Sequence, residues 1–255
     1  VAKRGASELN VNLLTKPQNA LASVLPNVQE GLANAFVGTI VIVLIATAMA
    51  LPFGILIAVY VNEFAPRAVR NGVGLALDVL NGIPAIVIAI FVYGLIVIPQ
   101  HKQSALAGSF ALAVLMLPLV SRATIEVLAL VPNSLREASL GLGVPRWRTT
   151  LGIVLPQTVG GIVTGTVLAV ARVAGETAPL LFTTSIVGTA ISWNPNHALQ
   201  SVPVAIFELS ESPSAADHAR AWAAALVLLL FILVASLSAR WLATRSRRKI
   251  ARAGR

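Results

Sequence analysis

Two ionisable residues in this sequence stand where charge is expensive. Arg172 and Glu176 fall at or just past the end of an apolar run, Val159–Ala174, and their four-residue separation puts them on one face of a continuing helix. A charged side chain in hydrocarbon costs from about 2.5 kcal/mol upward, so such residues commonly mark a solute pathway or a mutually neutralising pair. Two readings are open: a guanidinium placed to meet a solute, or an ion pair that locks a helical bundle or rests at the headgroups. Thr177 adds a hydroxyl beside the carboxylate. No nucleophile–base set and no H-E-x-x-H pattern occurs within the apolar runs, so no catalytic residue is assigned. The absence of cysteine removes thiolate metal centres, and His101, His197 and His218 lack ligand spacing, so no metal site is assigned either.

A second constellation lies in Val131–Pro156, VPNSLREASLGLGVPRWRTTLGIVLP, which is more elaborate than a plain connector. Asn133 or Ser134 can cap a helix that carries Glu137 near its positive end, and Gly141 and Gly143 can terminate it. Pro145 can then open a second helix bearing Arg146, Trp147 and Arg148, cations beside an aromatic anchor. Composition alone leaves this docking reading open beside a blander one, in which the arginines only obey the positive-inside rule and Trp147 sits in the headgroup belt.

The elements that must position these groups are membrane helices. Of the 255 residues, 56% are hydrophobic and 11% charged, with mean hydropathy +0.83, where a soluble domain carries about a quarter charged residues. Five runs approach the roughly 20 residues a crossing needs: Phe36–Tyr60, Val79–Ile98, Leu106–Leu130, Val159–Ala174 and Ala221–Leu242. The fourth is short unless it begins at Pro156, and Gly160, Gly161 and Gly165 suit it to close helix packing. Pro52, Pro84, Pro118 and Pro179 interrupt apolar runs and are read singly as packing features. Leu180–Ile191 is apolar but too short to span, the pattern of a re-entrant or gate-like piece.

The net charge of +9 is spread through the gaps between these runs, which argues against a nucleic-acid face and for topology. Arg67 and Arg70, the cations from Arg122 to Arg148, and those from Arg240 to Arg255 make one set of thirteen, expected on the cytoplasmic side. Lys3, Arg4, Lys16, Lys102 and Arg220 make the sparser, external set. Five crossings with a cytoplasmic C-terminus start outside, so a further N-terminal span is expected. The organisation is then an external segment over 1–33, a transmembrane domain over 34–243 with a cytoplasmic loop at 131–156 and an external one at 177–219, and a basic tail at 244–255.

The loop resembles the signature of the permease subunits of ABC importers: Glu-Ala-Ala, three residues, Gly, nine residues, Ile-x-Leu-Pro. Glu137-Ala138-Ser139 stands for the triplet, Gly143 for the glycine, and Ile153-Val154-Leu155-Pro156 follows nine residues on, with Ser139 for alanine the only departure. Arg172-Val-Ala-Gly-Glu-Thr-Ala-Pro-Leu-Leu-Phe182 is similar to an element of the phosphate permeases within that class, and Gly38-Thr39, Gly82-Ile-Pro84 and Leu117-Pro-Leu-Val-Ser-Arg122 agree with it. The resemblance covers roughly Gly31–Thr183.

What the resemblance implies is an all-α polytopic bundle in a bacterial cytoplasmic membrane. It implies a homologous sister permease, two cytoplasmic ATPases, an external phosphate-binding protein, and phosphate as the solute. Glu137, Ala138, Ser139, Gly143, Pro145, Arg146 and Trp147 would couple to the ATPase. Arg172, Glu176 and Thr177 would line the pathway, with Arg172 in transient contact with phosphate, since a guanidinium offers planar donors suited to its oxygens. The chain has no Gly-Lys pair and hence no P-loop, so it holds no cofactor of its own, and ATP with Mg belongs to the partner. The same loop would serve an ABC permease for molybdate, sulfate, an amino acid or a polyamine. A non-transporting scaffold or sensor subunit is disfavoured by Arg172 and the full signature.

Overall fold

A computed structural model of the chain describes residues 11–18, 31–184 and 190–253. Among the described residues every regular element is helical. After a single short turn of helix, α1 (Val11–Thr15), the first long apolar run forms α2 (Ala33–Phe64). At 1.5 Å per residue its 32 residues reach about 48 Å, well over the ~30 Å of hydrocarbon. Pro52 lies inside α2 without ending it, and the helix closes in a wide turn, Tyr60–Phe64, where the Ala65 N–H bonds to the Tyr60 carbonyl at 2.8 Å.

The reading of Val79–Ile98 as one run needs correction. The chain makes two helices there, α3 (Arg67–Gly82) and α4 (Ala85–Gln100), bent by 94°. Pro84 supplies no N–H and stands in an extended conformation at the start of α4, so the helical ladder cannot pass through it. Of the four prolines, this one is a true break. α3 mixes Arg67, Arg70, Asn71 and Asp78 with Val69, Leu75 and Val79, the makeup of a helix that lies along a membrane surface.

Three further long helices follow, α5 (Ala105–Ala129), α7 (Arg146–Val173) and the terminal α10 (Ala215–Ala253), with the short α6 (Asn133–Gly141) between α5 and α7 and the short α8 (Ala178–Thr183) and α9 (Val202–Glu211) between α7 and α10. Four helices are long and apolar enough to cross a membrane, α2, α5, α7 and the Ala215–Ser238 part of α10, and the bent pair makes a fifth if counted as one span. The fourth run thus begins far upstream of Val159, because α7 continues from Arg146 through a wide turn, Thr150–Val154, without interruption.

The described residues divide into two compact units. One comprises those within Val1–Met49, Ile83–Val114 and Arg172–Val234. Its core joins Leu13, Leu32, Ala35, Val202, Ala205, Leu209 and Ala224, so part of the polar-looking N-terminal segment is a packed helix. Beside it runs a chain of amides: the Asn34 Nδ2 donates to Gln200 Oε1 at 2.8 Å, and Gln200 Nε2 donates to the Glu208 carboxylate at 2.6 Å. Thr39 accepts the Val202 N–H at 2.8 Å and so covers the N-terminus of α9. α8 packs on α4, with Phe182 edge-on to Tyr93 at 6.5 Å, and the Thr183 carbonyl accepts from the Ser104 N–H. Residues 185–189 of the gate-like stretch Leu180–Ile191 lie outside the described residues, and among the described ones only the end of α8 is helical.

The other unit comprises Ala50–Gly82, Leu115–Ala171 and the described residues from Ala235 on. Here the glycine-rich face of α7 meets α5 as expected. A Cβ at Gly161 would stand 2.5 Å from Val127, and one at Gly165 2.6 Å from Ala123, so neither position accepts a side chain. Arg122 of α5 holds α3 through Asp78 and the Gly74 carbonyl, each at 2.5 Å.

Candidate functional site

Pro132, extended and without an N–H, opens α6, and Asn133 is its first helical residue rather than a side-chain cap. The helix ends in a complete Schellman arrangement. Gly143 adopts a φ of 76°, its N–H bonds to Leu140 O at 2.9 Å, and the Val144 N–H bonds to Ser139 O at 3.2 Å. That left-handed residue reverses the chain and brings Pro145 to the start of α7. Ser139 is buried, and its hydroxyl pairs with that of Thr149 at 2.8 Å. The one departure from the permease signature therefore carries a hydrogen bond between the two helices of the loop.

The remaining loop residues singled out by sequence point away from the unit's core. Glu137, Ala138, Gly143, Pro145, Arg146 and Trp147 are all exposed. Trp147 is 54% exposed, with the Arg148 guanidinium 5.0 Å from its ring centre, and Leu142 at the tip of the turn is 84% exposed. The exposed surface thus combines an apolar tip, two cationic residues and a carboxylate, a composition suited to contact with another protein. Leu142 escaped the sequence reading although it sits between two glycines, where an apolar residue has no local reason to be.

The sequence marks Arg136 only as one of the cytoplasmic cations and carries no signal at Glu63. The structure joins them: Arg136 Nε donates to Glu63 Oε2 at 3.1 Å and Nη2 to Oε1 at 2.8 Å. They border a polar cavity of about 450 Å³ whose wall also includes Asn62, Arg70, Arg146 and Thr150. No local signal foretells a pairing across 73 positions.

At the other candidate site, Arg172 and Glu176 make no ion pair, one of the two arrangements their spacing left open. α7 ends at Val173, and the chain turns with the Gly175 and Glu176 N–H groups on the carbonyls of Arg172 and Val173. Glu176 thus lies beyond the helix, where four-residue spacing no longer implies a shared face. Arg172 is exposed, and among the described residues no carboxylate stands within ion-pair reach of it. Thr177, next along, begins α8 with its carbonyl accepting from Leu180 and Leu181. The arrangement presents a guanidinium at the end of α7, and a partly buried carboxylate and a hydroxyl on adjacent residues of the link to α8. It can offer donors to an anion and has no geometry for bond cleavage. Among the described residues no group of histidine or acidic side chains is placed to hold a metal ion.

Several apolar helices and an exposed helix–turn–helix between the third and fourth of the long runs define a membrane permease. The chain belongs to the family of binding-protein-dependent transport system inner membrane components, whose model matches residues 50–248. It is a multi-pass inner-membrane protein of that family. Among curated relatives it is 38% identical over 238 residues to the phosphate transport system permease protein PstA of Haemophilus influenzae, covering 93% of this chain and 82% of that one. It is 42% identical to PstA 1 of Mycobacterium tuberculosis, covering 90% and 76%. Its fold matches a chain of the MetNI methionine ABC transporter solved in inward-facing conformations, with a TM-score of 0.63 at 16% identity over 85% of this chain and 94% of that one.

Proposed function

We propose that this chain is the permease subunit through which an ATP-driven importer carries inorganic phosphate across the bacterial cytoplasmic membrane. The observation that carries the substrate is the identity, over about nine-tenths of the chain, with permeases that bear the phosphate name. Arg172 is the group that meets the anion. Its forked donors match phosphate oxygens, and lacking an internal carboxylate it arrives at the pathway with its charge unspent. In this reading Glu176, four residues on, weakens the anion's hold enough for release, and Thr177 adds a donor.

The loop 131–156 is the element that meets the ATPase. Glu137, Ala138, Arg146, Trp147 and Pro145 form its outer surface, while Ser139 and Gly143 hold its shape. ATP and Mg reside on that partner, and this chain converts its motion into helix movement. A sister permease completes the pathway, and an external binding protein delivers the solute. The orientation with a cytoplasmic basic tail at 244–255 and external 1–33 and 177–219 is supported by charge: those Lys and Arg of the cytoplasmic set that lie among the described residues all fall in the unit that contains the loop.

The test is ATP-dependent uptake of labelled phosphate by proteoliposomes holding the whole complex and its binding protein, with molybdate and sulfate in parallel. Arg172→Gln is expected to abolish phosphate uptake with the complex still assembled. Uptake of another anion in place of phosphate would overturn the substrate, and undiminished uptake by the variant would make Arg172 structural. Because no ion pair joins them, Arg172→Gln and Glu176→Gln should not share an assembly defect, and their effects on stability should add within about 0.5 kcal/mol.

A further inference from the structure

α6 is joined through the backbone to α5 and α7, so a push on it reaches those helices directly. Its side chains also hold a helix it is not joined to. Arg136 sits on α6 one residue before Glu137, and the two lie on different faces of the helix: Glu137 is exposed, while the Arg136 guanidinium is turned onto the end of α2. A guanidinium has five N–H donors. Here five acceptors surround it: both Glu63 oxygens, at 3.1 and 2.8 Å, the carbonyls of Val131 at 2.6 Å and Leu128 at 3.0 Å, and Asn133 Oδ1 at 3.3 Å. The side chains are 19% and 9% exposed. Glu63 also accepts from Asn62 Nδ2 at 2.7 Å. Two carbonyls in the closing turn of α2, those of Val61 and Asn62, are in turn held by Arg70 of α3 at 3.1 Å each.

We infer that the Glu63–Arg136 pair is the link by which movement of α6 is delivered to α2, and through Arg70 to α3. Separating the two would strand a carboxylate and a guanidinium with little access to water, so the pair stays closed while the loop shifts. The forked, two-bond geometry transmits rotation as well as translation, which a single-point contact does not. Arg136 is a positioning residue, facing inward where Glu137 and Trp147 face outward. The inference rests on the reading of α6 as the coupling element.

The test uses the whole complex with its ATPase and binding protein in proteoliposomes, and reads phosphate moved per ATP hydrolysed. Glu63→Gln preserves shape and removes the charge, and Arg136→Lys preserves charge and removes the fork. Each is expected to lower the ratio about tenfold with the ATPase still bound, and the combined variant to be no worse than either alone. The chain has no cysteine of its own. In Glu63→Cys/Arg136→Cys, with partner subunits freed of accessible thiols, a bifunctional thiol reagent spanning the two positions should restore the ratio. Wild-type ratios in both single variants, or a loss accompanied by loss of the ATPase, would overturn the link. Trp147→Ala serves as the control for the reading beneath it: if that variant keeps both its ATPase and its ratio, the coupling role of the loop fails. If only the Arg136 and Glu63 variants behave as wild type, the link alone fails.

Discussion

Ser139 and Thr149, ten positions apart, share a buried hydrogen bond of 2.8 Å that closes α6 onto the start of α7. Thr149 also reaches the Pro145 carbonyl at 3.4 Å, so its hydroxyl keeps an acceptor if Ser139 is lost. Ser139→Ala should therefore cost about 1 kcal/mol and leave uptake near normal. Ser139→Val forces a branched side chain against a buried hydroxyl and should cost about 2 kcal/mol or more. Thermal unfolding of the purified chain in detergent ranks the two; an equal cost would mean the hydrogen bond is not what the position supplies.

Gly141 and Gly143 both have open space where a Cβ would stand, so substitution isolates the backbone term. Gly141 ends α6 with ordinary helical geometry, and Gly141→Ala should be neutral or stabilising by up to about 1 kcal/mol. Gly143, at a φ of 76°, should lose about 1–2 kcal/mol on substitution by alanine. Because that turn aims the docking surface, Gly143→Ala should also lower uptake per ATP, whereas Gly141→Ala should not. Equal behaviour of the pair in both assays would refute the assignment.

Leu142 and Trp147 are surface residues of the isolated chain, so Leu142→Asp and Trp147→Ala should leave its stability within about 0.5 kcal/mol. If the loop docks on an ATPase, each should weaken that association by about 2 kcal/mol, roughly thirtyfold. Co-purification of the ATPase at several protein concentrations measures this. Undisturbed association would move the docking surface elsewhere.

Burial, reinforced by the nearby negative charge of Asp217, raises the Glu208 carboxyl above its ordinary 4.5, against the lowering effect of hydrogen bonds from Gln200 and Gln18. A raised carboxylate binds its proton more tightly in the folded state than in the unfolded one. Its contribution therefore grows as pH falls through the raised value, is complete below 4.5, and is lost on the way back up. Glu208→Gln should be more stable than the natural chain at pH 7 and lose that advantage as pH approaches 4.5. Melting curves of both proteins across this range decide it; a difference independent of pH would place the cause elsewhere.

Much of this protein follows from local patterns. The apolar runs had to become helices that satisfy their own backbone in lipid; three of the long helices lie close to where hydropathy put them, and a fourth, α7, starts upstream of its apolar run. The loop was legible because glycine and proline act through their own φ angles, and Gly143 and Pro145 do at the turn what their residue types dictate. The small residues Gly161 and Gly165 announced close packing, though not that Val127 and Ala123 would fill the space.

Where reading failed, a local rule was carried past the end of its element. Arg172 and Glu176 share a face only in a continuous helix, and α7 stops at Val173. Val79–Ile98 is uniformly apolar in its second half, yet hydropathy is blind to the direction of an axis, and Pro84 turned it by 94°.

What sequence alone determined is thus the long apolar helices and the shape of one loop. Tertiary structure decided the partners: Glu63 for Arg136 across 73 positions, and Gln200 for Asn34 across 166. Helix and turn formation depend on neighbours within a few residues, whereas a buried polar group takes whichever complementary group the packing of distant helices brings to it.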